Sequence, residues 1–345
     1  MKAAIIYGPG DVRTDIVEDP VISADEILVK VHACGICGTD IHTYKTGGGS
    51  SPGQGIIPGH EFSGEIVDIG SSVIDLKRGE RIIGTGLRDC GECHWCRNNA
   101  GFCPNPLVPG EGLPGAMAEY VVVPNPMAGK LVFNIPENAS WEEAAVIEPM
   151  AVSCYAVEEA GLKSGKPAVI LGGGTIGLGI VQAAKAAGAG PVIVSEPSRL
   201  RRETASRLGA DIVIDPAEND PVEIMLASSM AMAGIIFECS GNPAAFAQAI
   251  RMIKPFGRII QVGIYEKELV LDPEQTKLLF QFRNATVRGS GGQRWDKAVD
   301  LTRSGKINTA EMITHTFSLE EVKNAFETQL NASDAIKVII KPVDE

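Results

Sequence analysis

Residues 167–177 read PAVILGGGTIG, and the stretch TIGLGIVQAAKAAGA continues from Thr175. A short apolar run that ends on a glycine-rich turn and opens a helical pattern is typical of a dinucleotide-binding strand–turn–helix unit. The glycines permit the tight turn and the close approach of a pyrophosphate, whose negative charge the helix N-terminus attracts. Taken alone, the pattern also fits an ordinary strand–helix turn. The predicted cofactor contacts in this stretch are Gly172, Gly174, Thr175, Ile176 and Gly177.

The next apolar run, PVIVSE, ends at Glu196, nineteen residues after Gly177. A carboxylate at this position can accept hydrogen bonds from an adenosine ribose and repels a 2′-phosphate. The sequence therefore predicts dinucleotide binding, with NAD preferred over NADP. Arg201 follows in a basic run and is also assigned to the cofactor site, although such a run equally fits a solvated helix face.

The chain contains two regions with different patterns of predicted secondary structure. From Pro167 to Gly263 strand and helix patterns alternate, which predicts βαβ units and a parallel sheet. The first 150 residues instead contain many short strands between glycine and proline turns, typical of a partly barrel-like β domain. The segment from Trp295 onward is predicted to return to that first domain. We therefore expect one domain formed by residues 1–152 and 292–345, and a second formed by residues 153–291.

The charge balance narrows the range of partners. The 345 residues include 31 Lys and Arg against 43 Asp and Glu, a formal net charge of −12. Binding to nucleic acid through phosphate neutralisation is disfavoured, as is attraction to anionic membranes. No apolar stretch reaches the ~18 residues of a membrane span, and the opening MKAAIIYGPGDVRTD is too short in apolar residues for an export signal. We expect a cytoplasmic protein with neither kind of partner.

Four of the eight cysteines lie within fourteen residues: Cys90, Cys93, Cys96 and Cys103. Four thiolates can surround one tetrahedral zinc ion and leave no open position, which is the pattern of a structural site. The alternatives are four reduced cysteines in a surface loop, or a zinc ribbon that serves nucleic acid. Clustered exposed thiols are prone to oxidation, and the acidic charge disfavours nucleic acid, so the sequence favours structural zinc.

A second set of metal-ligating residue types is spread along the first domain. Cys37 begins the segment CGTDIH, His60 and Glu61 lie in GHE, and Glu148 precedes Pro149. One thiolate, one imidazole and one or two carboxylates suit a catalytic zinc that keeps an exchangeable position. Each residue alone has a commonplace explanation, such as an exposed loop histidine or a solvated helix glutamate. Their coincidence with a nucleotide motif and a cysteine cluster favours the metal site.

The order of CGICGTDIH, PGHEFSGEIVDIG, CGECHWC, EPMA, GGGTIG and VIVSEPSRLRR resembles the zinc-dependent medium-chain dehydrogenases of the alcohol dehydrogenase superfamily. The resemblance covers essentially the whole chain, and it is nearest to the branch of sorbitol (polyol), threonine and 2,3-butanediol dehydrogenases. It implies an α/β protein with a GroES-like β-rich catalytic domain and a Rossmann-type domain built on a doubly wound parallel sheet. It also implies a homodimer or homotetramer.

Carried over to this sequence, the resemblance implies that Cys37, His60 and Glu61 bind the catalytic zinc, with Glu148 as an alternating or fourth ligand. Thr39 takes the family's hydroxyl position, which accepts the substrate proton, and His42 takes the relay position that leads outward. Together with Glu61 these two residues form the predicted catalytic set. Asp40 is expected to orient the site rather than to bind the metal.

Two departures from the family are visible. Six residues separate Cys96 from Cys103, where seven are usual. Either the loop is tightened with zinc retained, or metal binding there is weaker; the four thiolates favour retention. The aromatic-rich segment of the polyol branch is replaced by RGSGGQRW at residues 288–295, which puts sorbitol itself in doubt as the substrate.

The expected activity is zinc-dependent hydride transfer between NAD and a secondary alcohol or ketone of a polyol or vicinal diol. L-Threonine, or another hydroxy acid or amino alcohol, is the alternative substrate class. A zinc-free reductase of the same fold is disfavoured by the intact ligands. A catalytically silent sensor of NAD and zinc would not need Thr39 and His42 at relay spacing.

Overall fold

Short β-strands form most of the first part of the chain, as their spacing between turn residues predicts. The computed structural model describes residues 1–47, 55–86, 88–98, 103–227, 232–331 and 333–343. The first strands are β1 (Lys2–Gly8), β2 (Asp11–Ile16), β3 (Glu26–Gly35), β4 (Glu61–Ile69), β5 (Arg81–Gly84), β6 (Val108–Pro109), β7 (Gly112–Leu113), β8 (Tyr120–Pro124) and β9 (Val132–Asn134). Helices α1 (Gly38–Thr46), α2 (His94–Arg97) and α3 (Trp141–Ala145) lie between or after them, and α4 (Ile147–Ala160) follows.

The alternating pattern after residue 166 forms a six-stranded, wholly parallel sheet. Its strands are β10 (Ala168–Leu171), β11 (Val192–Ser195), β12 (Ile212–Ile214), β13 (Ala233–Glu238), β14 (Ile253–Gln261) and β15 (Thr286–Gly289). Its helices are α5 (Thr175–Ala186), α6 (Arg199–Arg207), α7 (Pro221–Ala227), α8 (Pro243–Met252), α9 (Pro273–Thr276), a π-helix at Lys277–Phe282, and α10 (Trp295–Arg303). The strand order is β12-β11-β10-β13-β14-β15. The order reverses between β10 and β13, which is the point where doubly wound sheets bind their ligands.

The C-terminal part of the chain returns to the first sheet. It consists of a 3₁₀ turn at Ala310–Met312, β16 (Ile313–Ser318), a second such turn at Leu319–Glu321, α11 (Val322–Asn331) and β17 (Lys337–Lys341). The seven-stranded sheet has the order β16-β17-β3-β4-β5-β9, with β8 paired to β3. Its apolar core includes Val29, Phe62, Ile82 and Phe326, all at most 1% exposed. Within the described residues, no helix combines the length and the apolar character needed to cross a membrane.

The chain divides into two compact units, Met1–Glu148 with Ile313–Glu345, and Pro149–Met312. The sequence places the return to the first domain at residue 292, whereas the structure keeps residues 292–312 in the second unit. Hydrogen bonds explain the difference: Arg294 N donates to Ala151 O at 2.9 Å, and Asn308 N donates to Gln182 Oε1 at 2.6 Å. The first boundary also falls earlier, after residue 148 rather than 152.

Candidate metal and cofactor sites

Three of the predicted zinc ligands converge in the first unit. One ligand atom each from Cys37, His60 and Glu61 lies within 4.8 Å of the other two. Cys37 directly precedes α1, while His60 and Glu61 stand where β4 begins. Gly59 makes this approach possible, because its φ is +100° and an added Cβ would lie 2.7 Å from Cys34 Sγ. Any other residue there would adopt a strained backbone conformation and would collide with Cys34 and Met117.

Asp40 joins the two loops that carry these ligands. Its Oδ2 accepts a hydrogen bond from Cys37 N at 2.8 Å, and its Oδ1 accepts one from Gly59 N at 3.0 Å. Both carboxylate oxygens are therefore used to hold backbone, and the residue is only 3% exposed. This geometry suits the orienting role that the sequence predicts for Asp40.

Glu61 is paired with a buried lysine that the motifs do not reveal. Lys337 Nζ donates to Glu61 Oε2 at 2.6 Å and to Ile36 O at 2.9 Å. The two side chains are only 3% and 2% exposed. Because Oε2 of Glu61 faces the ammonium, the other carboxylate oxygen is left for a second cation.

The donor set fits zinc on two further observations. His60 Nδ1 and Thr39 Oγ1 are shielded from solvent and have no hydrogen-bond partner in the described part of the chain. Burial by itself would lower the pKa of His60, but the neighbouring Cys37, Asp40 and Glu148 raise it well above its usual value. The negative charge around this imidazole favours a bound cation among these side chains. A thiolate, an imidazole and a carboxylate form a donor set that suits zinc.

Glu148 stands apart from the three-residue group. It lies in the first turn of α4 and is 8% exposed. Burial raises its pKa to about 7, with further raising contributions from Glu61 and Glu111. The residue is thus close enough to Glu61 and His60 to interact electrostatically, although the structure does not bring it into the cluster of ligand atoms.

The two predicted relay residues lie on α1. Thr39 is partly buried and carries the unpartnered hydroxyl, whereas His42 is exposed. Residues three apart lie on the same side of a helix, so the helix carries both groups on one face, from the protected hydroxyl to an imidazole in contact with solvent.

The four-cysteine cluster is also formed. Its Sγ atoms all lie within 4.8 Å of one another, with separations of 3.3 Å for Cys93 and Cys96 and 3.5 Å for Cys90 and Cys103. These separations exceed a disulfide bond, and they approach the about 3.8 Å expected around a tetrahedral ion with 2.3 Å bonds. Backbone N–H groups of Glu92 and Cys93 lower the pKa of Cys90 to about 7. The cysteines converge despite the shortened loop, of which residues 99–102 lie outside the described residues.

The glycine-rich turn connects β10 to α5 in the second unit. Gly172 has a φ of +98°, and a Cβ on Gly177 would lie 1.9 Å from Gly172 O, so both positions require glycine. Gly174 precedes the first turn of α5, which begins with Thr175 and Ile176. The predicted cofactor contacts therefore stand together at one helix N-terminus, where backbone N–H groups can meet a phosphate.

Glu196 faces this turn from the end of β11. Its Oε2 accepts from Gly173 N at 2.6 Å and its Oε1 from Ser198 N at 2.8 Å, and the residue is 4% exposed. Arg201 lies in the first turn of α6, where its backbone N–H donates to Ser198 Oγ at 3.5 Å. The carboxylate is thus held beside the glycine-rich turn, as a ribose-binding group would be.

Known proteins share both halves of this architecture. The family described as Alcohol dehydrogenase GroES-like domain matches residues 23–137, and Zinc-binding dehydrogenase matches residues 175–304. Sorbitol dehydrogenase of Bacillus subtilis is 33% identical over 99% of this chain and 97% of its own. L-Threonine 3-dehydrogenase of Thermococcus kodakarensis is 35% identical with the same coverage. The chain belongs to the zinc-dependent medium-chain alcohol dehydrogenase family.

A solved structure agrees with this assignment to the medium-chain dehydrogenases. A putative zinc-binding dehydrogenase from Sinorhizobium meliloti, bound to NADP, has a TM-score of 0.87 at 33% identity and covers 99% of both chains. The predicted family and the predicted α/β fold class, with GroES-like and Rossmann-type parts, are confirmed. As a member of this family the protein is a zinc-type oxidoreductase that uses a nicotinamide cofactor.

Two buried residues of this dehydrogenase were missed by sequence reasoning. Lys337 opens the strand KVIIK, and its position between the apolar pairs Ala335–Ile336 and Val338–Ile339 was the available signal. Glu238 closes the strand AGIIFE and is fully buried. A charge at the end of a strand usually meets solvent, so the sequence gives Glu238 no distinguishing signal, and that of Lys337 is weak without knowledge of what packs against it.

Proposed function

We propose that the protein is an NAD-dependent zinc dehydrogenase that interconverts a secondary alcohol and its ketone, in a polyol or vicinal diol. The observation that carries this proposal is the convergence of Cys37, His60 and Glu61. Three protein ligands of these types leave a position for substrate, whereas the four-cysteine cluster leaves none. The site of Cys37, His60 and Glu61 is therefore suited to catalysis, and the four-cysteine site is suited to stabilising a loop.

Different residues of the chain have different roles in the proposed oxidation of the alcohol. When bound, zinc supplies a Lewis acid for the alcohol oxygen and nicotinamide supplies the hydride acceptor. Thr39 accepts the hydroxyl proton at Oγ1, the atom that has no partner among the described residues, as its own hydroxyl hydrogen leaves along the proposed relay to His42, so the threonine stays neutral. His42, exposed on the same helix, passes the proton to solvent. Asp40 and Lys337 hold the ligand-bearing loops and Glu61 in place.

The preference for NAD rests on Glu196. Its buried carboxylate stands beside the glycine-rich turn, where a 2′-phosphate would meet like charge with no cation in a salt bridge to it among the described residues. The Sinorhizobium meliloti relative is bound to NADP, so the test of this proposal compares NAD with NADP as the cofactor of this chain.

The alternative substrate class is L-threonine or another amino alcohol or hydroxy acid. It is supported by the L-threonine 3-dehydrogenase relative, whose identity of 35% is similar to that of the sorbitol dehydrogenase. In either case the partner is a small molecule with a secondary alcohol.

We also infer a homo-oligomer, which the edge of the parallel sheet supports. All four residues of β15 are exposed, and its outer edge is not paired within the described residues. Phe256 and Phe282 nearby are 79% and 63% exposed. An open edge with apolar neighbours favours association; light scattering after size exclusion tests it, and a monomer would contradict it.

The test of the proposed function is the initial rate of NADH formation by zinc-loaded enzyme. Sorbitol, xylitol, 2,3-butanediol and L-threonine form the substrate panel, each with NAD, with NADP and after chelator treatment. Turnover of one class that the chelator abolishes is expected. Cys37→Ser should remove both turnover and one zinc equivalent, while Cys154→Ser, a buried cysteine outside both clusters, should keep both. Unchanged zinc content and turnover in Cys37→Ser would refute the proposal.

A further inference from the structure

Glu238, at the carboxyl end of β13, is a buried acid whose partners are all neutral. It is 0% exposed, and none of the described residues forms a salt bridge with it. Its Oε1 accepts from Ser240 N at 2.9 Å and from Ser240 Oγ. Its Oε2 accepts from Gln261 Nε2 at 2.7 Å and from Gly241 N at 3.2 Å. A carboxylate is well suited to this position because it accepts at both oxygens and donates at neither.

These bonds shape the turn after β13, which packs directly on the glycine-rich turn. A Cβ added to Gly172 would lie 2.9 Å from Ser240 N and 3.0 Å from Ser240 Cα. Cys239 N also donates to Leu171 O at 2.8 Å. The turn that Glu238 organises therefore forms one wall of the crevice between β10 and β13, where the strand order reverses.

Gln261 extends the same network to the turn after β14. Its Nε2 also donates to Gly263 O at 2.7 Å, and its Oε1 accepts from Tyr265 Oη at 2.8 Å. The two turns touch backbone to backbone, since a Cβ on Gly263 would lie 2.4 Å from Gly241 N. Glu238 and Gln261 thus tie residues 239–242 to residues 262–265.

The position of this network relative to a dinucleotide follows from the sheet. Glu196 marks the adenosine side at β11, and the pyrophosphate belongs at the N-terminus of α5. The second nucleotide must then extend to the other side of β10, over the ends of β13 and β14. Those are the strands whose turns Glu238 and Gln261 join.

We propose that Glu238 is a positioning residue that, through Gln261, sets the two turns against which the nicotinamide half of the cofactor binds. This inference rests on the proposed use of a nicotinamide dinucleotide. It differs from a general structural role in one respect: loss of Glu238 should weaken binding of the whole dinucleotide but not of its adenosine half.

Glu238→Gln is the decisive variant. In either orientation of the new amide its NH₂ faces at least one backbone donor, Ser240 N on one side or Gly241 N on the other. We expect the dissociation constant of NADH, measured by fluorescence titration, to rise about tenfold or more, equivalent to about 1.4 kcal/mol. The dissociation constant of AMP, measured by calorimetry, and the zinc content should stay within twofold of wild type. Glu203→Gln, an exposed acid on α6, is the matched control and should change neither constant.

A second variant tests the same inference if Glu238→Gln fails to fold. Gln261→Met keeps Glu238 but removes its link to the turn after β14, and it should weaken NADH binding in the same selective way. Equal loss of NADH and AMP binding, or NADH binding at the wild-type level in both variants, would overturn the inference. A wild-type protein that binds AMP but no NADH or NADPH would overturn the proposed function together with it.

Discussion

Replacing Lys337 by methionine tests whether the buried pair at the metal site is held as an ion pair. The substitution keeps an unbranched side chain but removes the ammonium that lies 2.6 Å from Glu61 Oε2. The carboxylate, only 2% exposed, would then lose the ion-pair partner that the described residues give it in zinc-free protein. Breaking a buried pair in this way costs about 3–5 kcal/mol, so the free energy of unfolding should fall by that amount.

Zinc should compensate for part of this loss. A dication held by Glu61 supplies the counter-charge that Lys337→Met removes, and a ligand that binds only the folded state stabilises it. The difference in unfolding free energy between zinc-loaded and chelated protein should therefore be larger in the variant than in wild type. Urea unfolding followed by circular dichroism, with and without chelator, measures all four states.

Lys341→Met is the matched control, because Lys341 lies on the same strand and pairs with Glu142 near the surface. Those side chains are 29% and 23% exposed, so the loss should not exceed about 1 kcal/mol. The double variant Glu61→Gln with Lys337→Met should recover most of the zinc-free stability, since no bare charge remains. If Lys337→Met destabilises the chelated protein no more than Lys341→Met, the reasoning about a buried ion pair is refuted.

Three further predictions concern the metal and cofactor sites. Burial, reinforced by Glu61 and Glu111, raises the pKa of Glu148 from 4.5 to about 7 in the folded protein. In chelated protein, protonated Glu148 therefore adds to the free energy of unfolding in full below pH 4.5, and this contribution is lost as the pH rises to about 7. Glu148→Gln should flatten the fall in unfolding free energy over that range; an unchanged slope would contradict the assignment. Cys96→Ser should lower the zinc content by about one equivalent per chain by mass spectrometry, and full zinc content would exclude a structural site. Glu196→Gln should raise the ratio of kcat/KM for NADP over NAD about tenfold, whereas a constant ratio would mean that this carboxylate does not select the cofactor.

The features that the sequence predicted best are those whose residues lie close together along the chain. The glycine-rich turn, the carboxylate after the next strand and the four cysteines are each defined by local spacing, because one turn or one loop must fold around a phosphate or an ion. The domain boundary at residue 292 was predicted less well. The burial of Trp295 and the hydrogen bond of Asn308 to Gln182, which attach residues 292–312 to the second unit, depend on surfaces far away in sequence.

By itself, the sequence determined the family, the two-part α/β architecture and the types of residue that can hold metal and cofactor, since motifs in a fixed order carry that information. Tertiary structure alone decided which charges these residues meet. Lys337 reaches Glu61 across 276 residues of chain, and Glu238 meets Gln261 only because parallel strands end side by side. A charge with no partner nearby in sequence has no signature there, because its cost and its function depend on what the fold packs against it.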